Sequence, residues 1–371
     1  MDTICNIKHC TGCAACMNRC PKQCIEMQPD DKLGHLYPVI DHDKCIDCGS
    51  CQKICPANHP LELQKPLMAY AGWDKNGNEY ITSTSGGAAS AFARFIIRQG
   101  GVVYGCAMLP NIEVKHIRVD NLDDIVKLKG SKYVQSTMGL TYRDVRDDLR
   151  MGRKVLFIGT PCQVAGVKSY IGEKNSDNLY TVDLICHGTP PLAFLKKHVL
   201  KKTKGIIPDK ILFRKGAYLL LLLLEGKELY KSSLFEQRYE DVYYNTFFDG
   251  FSYRDSCNAQ PNRISDVTIG DFWGLNENLP LEHPHGCSVL LPTSDKGNEL
   301  IDGIRKEFNL FERTVDEAVN GNDQLRHPKE ADSRVRIFKK ISPIIGVGNA
   351  YRLCMIDKIA RRKLRILIKG K

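Results

Sequence analysis

Short apolar runs alternate with helical patterns through most of the chain once the proline-rich stretch 56–66 has passed. Ser85-Gly86-Gly87 opens an apolar run over 88–97 that Gly100-Gly101 closes, which predicts a helix, and Val102-Val103-Tyr104-Gly105 then begins a strand. Val155-Leu156-Phe157-Ile158 reads as a buried strand. Gly159-Thr160-Pro161 starts a helix running to about Tyr170, with Thr160 suited to the N-cap and Pro161 to the first helical position. Thr181-Val182-Asp183-Leu184-Ile185 predicts another strand, ending in Cys186-His187-Gly188-Thr189-Pro190, and Asp266-Val267-Thr268-Ile269 leads into Gly270-Asp271-Phe272-Trp273-Gly274. Three strands that each end in a polar, glycine-containing turn predict an α/β or α+β body with its site at the strand ends. Residues 211–235 read as a β-hairpin turning at Glu225-Gly226-Lys227, with the leucines in the core. From Tyr351 on, Leu353, Ile356, Ile359, Ala360, Leu364 and Leu367 fall near helical spacing with Lys and Arg between them.

With 371 residues the chain has room for two or three domains, and 43% hydrophobic with 26% charged residues describes a globular protein. The net charge of +10 is uneven: residues 352–371 hold eight bases against Asp357, leaving only +3 for everything before them. A uniformly basic nucleic-acid binder is excluded on that distribution. The basic tail predicts an amphipathic helix, either packed on the body with a solvated basic face or lying on an anionic membrane or acidic partner. No apolar run approaches the ~18 residues of a membrane span, and Met1 to Cys5 lacks the features of a signal peptide, so a cytoplasmic location is expected.

Ten of the sixteen cysteines fall in the first 55 residues. Cys10, Cys13, Cys16 and Cys20-Pro21 form C-x2-C-x2-C-x3-C-P, and Cys45, Cys48, Cys51 and Cys55-Pro56 repeat it. This is the bacterial ferredoxin spacing for [4Fe–4S] clusters, in which the fourth Cys of each run reaches the other cluster. One cluster is thus expected on Cys10, Cys13, Cys16 and Cys55, the other on Cys45, Cys48, Cys51 and Cys20. Structural zinc and a disulfide framework are the competing readings. Zinc favours separated C-x2-C pairs, and such crowding in a reducing compartment favours metal ligation over disulfides. Cys5 and Cys24 lie outside the register and are expected to be buried thiols.

Neither G-x-G-x-x-G nor a Walker A sequence occurs, so any nucleotide must rest on other turns. Ser85-Gly86-Gly87 either offers N–H groups at a helix start to a pyrophosphate or is a plain N-cap. Thr160-Pro161-Cys162-Gln163 puts Cys162 in a first helical turn, where the dipole favours thiolate; the turn could instead face a cofactor. At Cys186-His187-Gly188 the neighbours point to opposite faces, so His187 is either a catalytic residue or part of a site-lining turn. Gly130-Ser131-Lys132-Tyr133 brings a cation, either solvated or placed to stabilise an anionic ring.

These turns, taken in order with Gly130 to Ser136, Asp183 to Gly188 and Arg263 to Gly274, resemble the family of coenzyme F420-reducing hydrogenase and dehydrogenase beta subunits, preceded here by a two-cluster ferredoxin domain. The resemblance covers about residues 5–310. It implies an α+β architecture: a 2[4Fe–4S] ferredoxin-type domain at 1–65, an α/β flavin-binding body in parts 66–150 and 151–310, and a basic helical tail at 311–371. It further implies an FAD-bearing oxidoreductase that moves electrons between a small hydride donor or acceptor (F420 or similar) and a redox partner protein or ferredoxin. The turns at Ser85, Gly86, Gly87, Ser131, Lys132, Thr160, Pro161, Cys162, Gln163, His187 and Gly188 would line the flavin, with Lys132, Cys162 and His187 as the catalytic candidates. Many relatives carry a Cys pair where Cys257-Asn258-Ala259-Gln260 keeps one, which argues against a third cluster in the body. A flavin-free electron-transfer subunit docking between partner proteins is the alternative.

Overall fold

The computed structural model describes residues 3–186, 188–257, 262–275, 279–327 and 331–369. Its strands are β1 (Ile25–Pro29), β2 (Leu36–Ile40), β3 (Ala69–Asp74), β4 (Val102–Leu109), β5 (Glu113–Val119), β6 (Val155–Gly159), β7 (Leu179–Leu184), β8 (Lys210–Lys215), β9 (Ala217–Leu224), β10 (Lys227–Ser233), β11 (Val267–Asp271), β12 (Ser288–Pro292) and β13 (Phe308–Arg313). β1 and β2 pair antiparallel within the cysteine-rich N-terminal module.

The body is an eight-stranded mixed sheet in the order β13-β3-β12-β11-β7-β6-β4-β5. Its centre, β11-β7-β6-β4, is parallel, and the outer strands join antiparallel. Alternation along the central strands splits the core into two layers, because successive side chains point to opposite faces. Val103, Leu156 and Val182 turn toward helices Ala88–Arg98 and Asp295–Ile304, with Phe92, Ile96, Leu300 and Ile304. Val102, Tyr104, Val155 and Phe157 turn the other way, toward helices Thr141–Arg150 and Pro161–Ile171. The chain is therefore α+β, as expected.

Two expected elements take a larger form. The segment expected as a hairpin is a three-stranded antiparallel sheet, β10-β9-β8; the β9–β10 turn is where the sequence puts it, and β8 joins because Lys210–Lys215 pairs along the other edge of the leucine strand. Leu220 and Leu222 are fully buried against Phe194, Val199, Tyr243 and Tyr244. The main sheet also runs past residue 310: β13 closes its edge on β3. The tail beyond forms helices Ser333–Ile345, Val347–Cys354 and Ile356–Lys369, the first two meeting around Phe251, Phe338 and Tyr351. No described helix is long and apolar enough to cross a membrane.

The N-terminal module is fastened to the body by polar bonds at its own backbone. Tyr142 Oη donates to the Cys13 carbonyl (2.8 Å) and the Gln163 carbonyl (3.0 Å). Arg143 reaches the carbonyls of Asn18 and Cys20, both at 2.9 Å. Gln135 Nε2 donates to the Thr11 carbonyl and Ser256 Oγ to that of Cys10. Ala14 and Ala15 enter the same apolar layer as Tyr142 and Phe157.

The turn at Gly86 shows how tightly the antiparallel half is packed. A Cβ there would stand 2.0 Å from the Gly72 carbonyl oxygen on β3 and 2.8 Å from the Ser288 nitrogen on β12. Both neighbours are backbone and have nowhere to move. Gly86→Ala is expected to destabilise the fold by about 1–3 kcal/mol, read as a Tm several degrees below that of the parent protein; an unchanged Tm would show that the two strands can part.

Candidate functional site

Each cysteine run closes a turn under steric control: Gly12 and Gly49 adopt left-handed conformations, and short helices Ala15–Arg19 and Ser50–Lys53 follow. The geometry gathers the thiols in two cavities. Cys10, Cys13, Cys16 and Cys55 line the first; Cys20, Cys45, Cys48 and Cys51 line the second. Cys20 and Cys55 have crossed over, each lining the cavity of the other run. Cys5 and Cys24 add a fifth thiol to the first and second cavities respectively. Cys24 Sγ lies 3.3 Å from Cys20 Sγ. The side-chain hydrogen bond from Cys5 holds Cys55 down to about 6 and Cys10 down to about 7, while burial raises Cys13 to about 12 and pushes Cys16 up as well. Among the described residues all sixteen cysteines are free of disulfides.

The first cavity adjoins the strand ends of the body. Gly12 has φ +69°, and a Cβ there would sit 2.5 Å from Arg254 Nη2, so glycine alone admits this arginine. Arg254 Nη2 donates to the Leu36 carbonyl (2.8 Å) and Gln135 Oε1 (3.0 Å), and the guanidinium lies over the Tyr37 ring at 4.6 Å. Its Nε and Nη1 are buried and find no hydrogen-bond partner among the described residues. Burial raises the Cys162 and Cys257 thiols and the positive charge of Arg254 works against that rise; at Cys10 the charge adds to the lowering that the Cys5 hydrogen bond causes. A buried cation with unspent donors suits an anionic guest, since such donors are costly to leave unmade.

The expected turns are brought to this end of the sheet, yet many of their polar groups are engaged within the protein. Ser85 Oγ donates to the Cys287 carbonyl (2.7 Å), and Gly86 N–H to Ser288 Oγ (2.9 Å). Gly87, in a left-handed conformation, caps helix Ala88–Arg98. Ser131 N–H donates to Thr84 Oγ1 (3.1 Å), joining the Ser131 and Ser85 turns. The half-buried Lys132 directs its ammonium donors at three carbonyls, of Leu128 (2.8 Å), Lys129 (2.9 Å) and Cys106 (3.0 Å). Desolvation lowers its pKa. As an ammonium has three N–H groups, Lys132 locks its own loop onto β4.

Thr160 caps its helix as expected, and the cap opens a chain of four hydrogen bonds. The Thr160 N–H donates to Gln163 Oε1 (3.0 Å), Gln163 Nε2 to Ser136 Oγ (2.9 Å), Ser136 Oγ to His116 Nδ1 (2.9 Å), and His116 Nε2 to the Ile158 carbonyl (2.9 Å). A carbonyl only accepts, so the Nε2 proton and the remaining directions follow. Burial lowers His116 to about 4, keeping the ring neutral. Pro161 takes the first helical position. Burial raises the Cys162 thiol, outweighing the helix start, so this residue is no ready thiolate. Gly188 packs on the Tyr253 ring. His187 lies outside the described residues, as does Gln260.

Three features were not anticipated. Cys162, Cys186 and Cys257 come from three separate turns: burial raises Cys186 and Cys257, the neighbouring Cys257 and Cys162 raise Cys186 further, and Cys162 does the same to Cys257 and to Cys13. Arg263, wholly buried, pairs with Asp183 at 3.1 Å below the end of β7. At the end of β11, Asp271 accepts from Arg214 (2.7 Å) and Tyr218 (2.9 Å), while Tyr218 stacks on Trp273 and on Tyr133 at centroid distances of 6.2 and 6.1 Å. Trp273 is 48% exposed and offers a ring face at the rim. Asp183, Arg263, Asp271 and Trp273 all stand in motifs visible in the sequence; Arg214, Tyr218 and Arg254 carry no such signal.

Residues 152–317 match the model for the C terminus of the coenzyme F420 hydrogenase/dehydrogenase beta subunit, and residues 9–59 that of a 4Fe-4S dicluster domain. The F subunit of the F(420)H(2) dehydrogenase of Methanosarcina mazei is 20% identical over 185 residues, which are 48% of this chain and 53% of that protein. The coenzyme F420-dependent sulfite reductase of Methanocaldococcus jannaschii is 26% identical over 162 residues, 43% of this chain and 24% of that one. The chain thus spans about half of the first relative and about a quarter of the second. The F420-reducing [NiFe] hydrogenase complex from Methanosarcina barkeri, solved as a xenon derivative, aligns with a TM-score of 0.46 and 15% identity over 71% of this chain and 91% of that chain.

Two outcomes follow from this geometry. Replacing Arg254 removes a buried positive charge beside the first cavity, so Arg254→Gln is expected to make the more easily perturbed cluster potential more negative by on the order of 50–100 mV. Redox titration of the holoprotein measures it, and unchanged potentials would place the charge too far away to act. His116 supplies a pH effect. An unfolded histidine titrates near 6.5, above about 4 in the fold. The unfolded chain therefore takes up the proton first, and stability falls as pH drops through that window, by about 1 kcal/mol at pH 5.5. The Tm of His116→Asn should fall less between pH 7 and pH 5.5 than that of the parent; an equal fall would remove His116 as the cause.

Proposed function

We propose that this chain, whose residues 9–59 match a 4Fe-4S dicluster domain and residues 152–317 the C terminus of the coenzyme F420 hydrogenase/dehydrogenase beta subunit, is an FAD-dependent oxidoreductase exchanging electrons between F420, or a comparable hydride carrier, and a ferredoxin-like partner protein. The two domain matches support the iron–sulfur, electron-transferring part of this reading; flavin, carrier and partner are its further parts. The observation that carries it is the docking of the first four-cysteine cavity against the strand-end turns, through Arg254, Gln135, Ser256 and Tyr142.

The residues at the strand ends fit a flavin in a different way from the one expected. Ser85, Gly86, Lys132 and Gln163 are engaged internally, so they shape the floor. What remains for a large planar anionic cofactor is the Trp273–Tyr218 ring face, with Arg214 over Tyr218 at 4.6 Å, and the two unspent donors of Arg254. Bound FAD would supply the conversion between two-electron and one-electron transfer that clusters alone cannot perform. In this reading Cys10, Cys13, Cys16 and Cys55 hold the nearer cluster, and Cys20, Cys45, Cys48 and Cys51 the outer one. Cys48 is exposed, which puts the outer cavity within reach of a partner.

A UV–visible spectrum of anaerobically purified protein, repeated on the supernatant after acid precipitation, tests the proposal. It predicts a broad ~400 nm cluster absorbance in the holoprotein, releasable flavin in the supernatant, and about eight irons per chain. Cluster absorbance with no releasable flavin after reconstitution would leave an electron-transfer protein without a hydride site. About twelve irons would put a third cluster at Cys162, Cys186 and Cys257, against the expectation from the lone cysteine before Arg263.

A further inference from the structure

Among the described residues, the C-terminal helix Ile356–Lys369 meets the body through its first half. Arg334 grips both oxygens of Asp357 (2.7 and 3.0 Å), Ile359 leans on the cluster around Phe338 and Tyr351, and Arg362 donates to the Glu236 carbonyl at 2.5 Å. From Lys363 to Ile368 every side chain is exposed. The helix therefore does not lay its apolar side on the body: Leu367 is 80% exposed, Ile368 74%, Ile356 63% and Leu364 57%.

At 100° per residue, Ile356, Ala360, Leu364 and Leu367 form one stripe and Lys358, Arg361 and Arg365 the opposite one. Lys363 interrupts the apolar side, where its long stem can lie along the apolar surface and lift the charge out. The helix's one acid, Asp357, is neutralised by Arg334, so the free charge of the exposed half is wholly positive. We propose that this helix lies in the plane of an anionic lipid surface, with Ile356, Leu364, Leu367 and Ile368 among the acyl chains and Lys358, Arg361 and Arg365 at the headgroups. Charge and shape favour a bilayer over an acidic protein groove. The exposed apolar residues are all flexible aliphatics, with no aromatic anchor for a shaped pocket, and a basic arc flanking such a face is the pattern of interfacial helices. Ile344 and Leu353, 81% and 55% exposed on the two preceding helices, add apolar surface to the same region of the chain. The inference stands independently of the flavin reading.

Flotation of the full-chain holoprotein with vesicles tests it. The protein should float with equimolar phosphatidylglycerol and phosphatidylcholine and stay behind with phosphatidylcholine alone. Leu364→Ser with Leu367→Ser should abolish flotation. Lys358→Gln, Arg361→Gln and Arg365→Gln together should weaken it on the order of 100-fold. All these positions are solvent-facing, so an unchanged ~400 nm absorbance certifies that the variants are folded. A parent protein that stays behind with anionic vesicles overturns the proposal, as does equal flotation of the leucine variant. A protein that fails to float but elutes as a dimer, and as a monomer after the leucine substitutions, would give the face to a second copy.

Discussion

The crossing of Cys20 and Cys55 between the two cavities is the constraint on which the N-terminal module depends. Each cavity draws three thiols from one run and the fourth from the other. Neither run can therefore complete its set alone, and the two must fold onto each other before either cavity closes. Once they have, the loops carrying Cys10 and Cys13 present their carbonyls outward, where Ser256 and Tyr142 bind them. The body holds the module by these carbonyls together with a few side chains, among them Ala14, Ala15, Asn18 and Tyr37. The backbone bonds leave the Cys10 and Cys13 thiols free to line the first cavity.

Distance from solvent then divides the module. The first cavity is buried against the body, under Arg254 and beside the Cys162, Cys186 and Cys257 thiols, whereas the second holds the exposed Cys48. Gly12 is the hinge of this asymmetry, because a side chain there would displace the guanidinium that joins Leu36, Gln135 and the Tyr37 ring. A single missing Cβ thus sets where the buried positive charge stands relative to the thiols.

Local signals were legible and convergent ones were not. The cysteine runs, the Thr160 cap with Pro161 behind it, and the central strands all state themselves within a few residues, because spacing, capping and alternation are short-range rules. β13 was invisible as part of the sheet since an edge strand owes its place to a distant partner, β3. β8 was missed for a similar reason: nothing in Lys210–Lys215 announces that it will pair with the leucine strand. Lys132 looked like a free cation because its three carbonyl partners are assembled only when Leu128, Lys129 and Cys106 come together. The Cys162, Cys186 and Cys257 group comes from three turns separated by many residues, and Arg254 belongs to no motif.

That pattern bears on how the strand-end site works. Groups that a sequence offers for binding, a serine hydroxyl, a glycine N–H, a lysine ammonium, a glutamine amide, are here engaged in fixing the turns. Such engagement makes the floor rigid, since moving any of these turns would strand a buried donor or acceptor at a cost of about 1–3 kcal/mol. Among the described residues, the half-exposed Trp273 ring at the rim and the Nε and Nη1 donors of Arg254 at the module junction stand apart from this bonding. One offers a planar apolar surface and the other a positive charge. The first invites stacking and the second an anion, so each asks for different chemistry from whatever meets it.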